Sequence, residues 1–92
     1  MLDYAFIREF MLFINKSNIS TGPTEKEAIN FAAFYNISKR ELGYIETLLF
    51  EAAFTTRKPI CVENRFVNLA PGVLTTAGKS ALLTSKMILE VN

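Results

Sequence analysis

The chain has 92 residues, half of them hydrophobic, with ten basic against nine acidic side chains and a net charge of +1. That length makes one domain with a modest core, and the near balance of charge supplies no bulk pull toward nucleic acid or a membrane surface. There is no histidine and one cysteine, Cys61, which excludes His-dependent triads, His-based metal sites, an internal disulfide and a zinc site of cysteines.

The lone cysteine fits a reducing, cytoplasmic setting. No paired carboxylates stand at a spacing suited to acid–base work, so the expectation is a protein that is not an enzyme and needs no cofactor or metal. Eight Phe are a heavy apolar load for so short a chain. Part of that load is expected to be hidden against a second copy, as a homodimer.

In chain order, "MLDYAFIREFMLFINK" places Leu2, Phe6, Phe10, Phe13 and Ile14 at helical spacing, predicting an amphipathic helix over about 2–15. Asp3, Arg8 and Glu9 interrupt the run, which is too short to span a membrane. "ISTGP" reads as a short extended piece and a turn, punctuated by Gly22-Pro23. Thr24 and Glu27 then form a capping box, in which each side chain satisfies a backbone N–H at a helix start. A second helix follows, from Glu25 to about Tyr35.

Ser38 and Glu41 repeat that signal and open a third helix running to Ala53 or Phe54, with Ile37 just ahead of the cap to fix the angle between the helices. Two helices separated by Asn36-Ile37-Ser38 must turn sharply, which is helix-turn-helix geometry. Pro59 stops helical structure, and "PICV" and "RFVNL" flank Glu63-Asn64 as a hairpin over 59–62 and 65–69. "APG" breaks the second strand, and Thr75 or Thr76 caps a last helix through about Leu89. The expected fold is mainly α with a small β-hairpin, in the order α-β-α-α-β-β-α. That is a winged helix-turn-helix filling the single domain 1–92: helix-turn-helix about 25–54, wing about 57–70, C-terminal helix about 76–90.

"FAAFYNISKRELGYI", residues 31–45, resembles the helix-turn-helix segment of bacterial and phage DNA-binding regulators. Ala32 stands where such segments carry a small residue at the helix crossing, Asn36 at the turn, and Ile37 at the apolar position after it. Phe31, Tyr35, Leu42 and Ile45 match the inner faces. "VLTTAGKSALL" is similar to the junction that enters the last helix of many small winged-helix proteins of Gram-positive bacteria and their phages.

The resemblance implies DNA binding through the third helix laid in the major groove. Its outward positions are Ser38, Lys39, Arg40, Gly43, Tyr44 and Thr47. Lys39 and Arg40 are suited to guanine or phosphate, Tyr44 and Thr47 to a phosphate or base edge. Arg57, Lys58 and Arg65 accompany the wing, where phosphate backbone or minor groove is met. Gly43 costs about 1 kcal/mol against Ala inside a helix, which close packing or close approach to the DNA backbone explains.

"PGVLTTAGKS", residues 71–80, looks at first like a phosphate-binding loop. Val73, Leu74, Thr75, Thr76 and Ala77 separate Gly72 from Gly78, one residue more than that loop has, and the chain is too short to build the parallel sheet that the loop needs before it. No nucleotide is expected. Pro71-Gly72 ends the wing, a threonine caps the last helix, Gly78 lets it pack closely, and Lys79 is left to touch a DNA phosphate.

Two functions follow from this reading. The first is a dimeric winged-helix DNA-binding protein, a transcriptional regulator or a binder of repeated sites on a plasmid or phage genome. Its dimer contact would use the first helix and Leu82, Leu83, Met87, Ile88 and Val91 of the last. The second, motivated by the near-neutral charge and the apolar content, uses the same frame as a protein–protein interaction module without DNA binding.

Overall fold

Asp3 opens the first helix, its carboxylate accepting the Phe6 N–H at 3.0 Å. In the computed structural model, which describes residues 3–17 and 20–91 with side chains through residue 84, this helix (α1) spans Tyr4–Lys16. It buries Phe6, Phe10, Met11 and Ile14, one stripe at helical spacing. Leu2, at the predicted helix start, lies outside the described residues.

The short strand expected next is absent from the residues described there, and Ile19 lies outside them. Residues 20–24 form a turn and an irregular segment, so the order is α-α-α-β-β-α and the sheet has two strands. Gly22, at φ +75°, turns the chain, and Pro23 has no N–H to give a ladder. Gly22 lies directly against the backbone of Gly72, also at positive φ, where any Cβ would collide. The two Gly/Pro turns thus pack on each other where a third strand was expected.

The second helix (α2, Glu25–Phe34) carries the full capping box: Thr24 N–H to Glu27 Oε1 at 2.9 Å and Glu27 N–H to Thr24 Oγ1 at 3.1 Å. It ends in a left-handed cap at Asn36, φ 61°, with the Asn36 N–H donated to the Ala33 carbonyl and the Ile37 N–H to that of Ala32. Asn tolerates that conformation, and the cap delivers Ile37 into the core beside Ala28 and Ala32, where the helices cross closely. The third helix (α3, Lys39–Glu51) stops in the same way, with Ala53 at φ 63° and Phe54 N–H on the Leu49 carbonyl.

The hairpin joins β1 (Ile60–Val62) to antiparallel β2 (Arg65–Val67), Cys61 opposite Phe66. Glu63 and Asn64 both take positive φ, as a two-residue turn matched to strand twist requires. The last helix (α4) spans Thr76–Val91, and Thr75 caps it by accepting the Gly78 N–H at 3.0 Å. Gly78 presses on the Phe54 carbonyl, so close packing explains that glycine. One core unites the inner stripes of α1, α2 and α3 with Ile37, Leu69, Leu74 and Leu82, and a Phe13–Phe31 stack at 4.3 Å covers its α1–α2 side.

Candidate nucleic-acid interface

Ser38 sets the start of α3. Its hydroxyl oxygen accepts the Glu41 N–H at 3.1 Å, and its O–H is donated to the Glu41 carboxylate at 3.3 Å. Half of the expected capping box is therefore present, and Glu41 is occupied locally. Lys39 and Arg40 in the first turn are exposed. One turn on, Tyr44 is 50 % exposed and receives a 3.5 Å hydrogen bond from Arg40 Nη2, with the guanidinium carbon 5.9 Å from its ring centre. The opposite contact is the ring of Phe66 from β2, edge-on at 5.1 Å.

Gly43 is a correction to the outward set. It is buried, and a Cβ built on it stands 2.3 Å from Phe66 ring carbons. The glycine lets the hairpin lie directly on α3; it presents nothing to a ligand. Thr47 is half-buried and donates its hydroxyl hydrogen to the Gly43 carbonyl at 2.8 Å, so it offers a ligand only its oxygen lone pairs.

Arg65 flanks Phe66 on β2. Strand alternation turns it to the other side of the hairpin, the exposed side it shares with Ile60, Val62 and Val67. Arg57 and Lys58 lie elsewhere, at the C-terminal end of α3. They line a groove of about 470 Å³ with Glu25, Phe50, Thr56, Ile60, Asn68 and Ala70, and Lys58 Nζ sits 5.6 Å from the Phe50 ring centre. Lys79 stands apart from both groups, in an α1–α4 groove with Arg8, Leu12, Asn15, Leu82 and Leu83. The basic positions expected to meet DNA thus stand in four places, and the structure brings together Lys39, Arg40 and Tyr44, backed by Phe66. None of these basic side chains is within 4.0 Å of a carboxylate among the described residues.

Glu46 was not singled out by sequence. It is fully buried, and neither carboxyl oxygen has a hydrogen-bond partner. Burial, reinforced by the charge of Glu25, pushes its pKa up to about 9, so the group is a neutral acid at pH 7. Glu25 in turn accepts the Leu69 N–H at 2.8 Å, tying the start of α2 to the chain leaving the hairpin. The available signal was periodicity: Glu46 falls inside the apolar stripe Leu42, Ile45, Leu49. Phe66 had a signal too, in the mid-helix glycine it covers.

Cys61 is exposed on β1. Among the described residues no group of three or more His, Cys, Asp or Glu gathers that could hold a metal ion, and no helix is long and apolar enough to cross a membrane. Comparison of the chain with protein-family models, curated proteins and solved structures returns no match.

Proposed function

We propose that this chain is a winged-helix DNA-binding protein, with α3 as the recognition helix and the β1–β2 hairpin as its wing. The observation that carries the reading is the exposed row Lys39, Arg40 and Tyr44, its cations in no ion pair among the described residues and its tyrosine braced from behind by Phe66 on Gly43. Such a row at a helix N-terminus has the composition to read guanine edges and phosphates in a major groove. The contact between Phe66 and Gly43 supports helix and wing acting as one body, with Arg65 on the wing meeting the backbone. Double-stranded DNA is the partner. A homodimer through α1 and α4, around the groove that holds Leu12, Leu82 and Leu83, doubles the contacts a chain of net charge +1 can make. The side chains of Met87, Ile88 and Val91 in that dimer contact lie outside the described residues.

Gel shifts with genomic fragments at low salt test this. Native protein retards DNA, and the double variant Arg40→Ala with Arg65→Ala binds roughly tenfold or more weakly. Absence of any shift, or an unchanged shift in the double variant, sinks the reading.

A second reading, a protein–protein interaction module, is favoured by the exposed aromatics Phe34 (82 %) and Tyr4 (75 %). A pull-down that returns one stoichiometric partner, from a protein that heparin does not retain, would select it.

A further inference from the structure

Three residues on one face of α3 follow the hairpin. Gly43 lies under Phe66, Phe50 faces the groove with Ile60 and Asn68, and Glu46 stands between them at helical spacing, fully buried. By that spacing the seam where the hairpin rests on α3 borders a carboxyl group with no hydrogen-bond partner on either oxygen. A carboxylate cannot stay in such a place without pairing or water. Its nearest electrostatic neighbour makes matters worse, since Glu25 is also acidic and holds the Leu69 N–H at the hairpin's exit.

We infer that this seam is a proton-controlled latch: with Glu46 protonated the hairpin lies on α3, and when Glu46 ionises the hairpin lifts so that the carboxylate can reach water. The latch is a property of the fold and does not depend on what the chain binds. If the hairpin is the wing proposed above, the same proton also governs the wing.

The charged and titratable groups on the elements around the seam are Glu25 of α2, Arg57 and Lys58 in the approach to β1, Cys61 on the Phe66 side of the hairpin and Arg65 on its outer side, and Tyr44 on α3. Lys58 is the group best placed to draw the carboxylate outward, since it lines the groove at the open end of the seam. The sign follows from the burial. The closed state holds the proton more tightly than the open one, so rising pH favours opening and acid favours closure. Between the ordinary glutamate range and the alkaline range where the closed state loses its proton, each pH unit shifts the balance roughly tenfold toward the open form.

The test is NMR on the full chain from pH 5 to 9.5, native and Glu46→Gln. The latch predicts a Glu46 carboxyl carbon that titrates well above the ordinary carboxylate range. It also predicts that protection of the Leu69 amide from exchange, corrected for the intrinsic rate, falls roughly hundredfold or more between pH 6 and 9 in native protein, and less than about twofold in Glu46→Gln. A Glu46 carboxyl that titrates in the ordinary range overturns the proposal, and so does a loss of Leu69 protection that is the same in both proteins. The carboxyl titration is read on native protein and stands even if the variant does not fold.

Discussion

At Gly43 a single methyl group separates two opposing effects. Alanine raises helix propensity by about 1 kcal/mol at an interior position. Here its Cβ would collide with the Phe66 ring, and that ring is held by Tyr44 on one side and by the strand on the other. Steric overlap wins over propensity, because relieving it means moving the hairpin off α3. Gly43→Ala is expected to lower stability by about 1–3 kcal/mol, measured by urea unfolding. A variant more stable than the native protein would show that the hairpin does not rest on this residue. Tyr44 is the other pivot at this scale, since it joins Arg40 in front to Phe66 behind.

At the scale of elements, α2 and α3 end in the same motif with different residues. Asn36 suits the left-handed position; Ala53, at φ 63°, does not, and its Cβ crowds the following carbonyl. Ala53→Gly is therefore expected to stabilise the fold by about 1 kcal/mol, read as a raised thermal midpoint. A lowered midpoint would mean that the Ala53 methyl makes a contact worth more than the relief.

These helix ends also show what sequence can reveal. Thr24 with Glu27, and Asn36 before Ile37, act on neighbours within a few residues, so their chemistry is legible in order along the chain. The hairpin turn at Glu63-Asn64 is local in the same way. The burial of Glu46 is not, because it arises where separate elements pack, as does the Glu25–Leu69 bond between residues 44 apart. The missing strand before α2 has the same origin: two Gly/Pro turns meet across the fold at Gly22 and Gly72. Of the candidate site, the exposed Lys39–Arg40–Tyr44 row was legible from helical spacing. Its backing by Phe66, and the separation of Arg57, Lys58 and Lys79 from it, required the tertiary arrangement.

At the scale of the whole molecule the expected site cations divide among the start of α3, the outer side of the hairpin, the groove at the far end of α3 and the α1–α4 groove. In the proposed DNA-binding role, that division, more than the net charge, decides which edge meets the duplex. A uniformly basic surface binds everywhere, whereas here one edge combines exposed cations, a half-exposed tyrosine and a braced hairpin. The most direct measurement is an NMR titration of isotope-labelled protein with a duplex selected from random DNA at low salt. DNA bound along α3 and the hairpin gives saturable amide shifts concentrated in residues 38–47 and 60–67, shrinking as salt rises. Shifts confined to α1 and α4, or no shift at any duplex concentration, would contradict it.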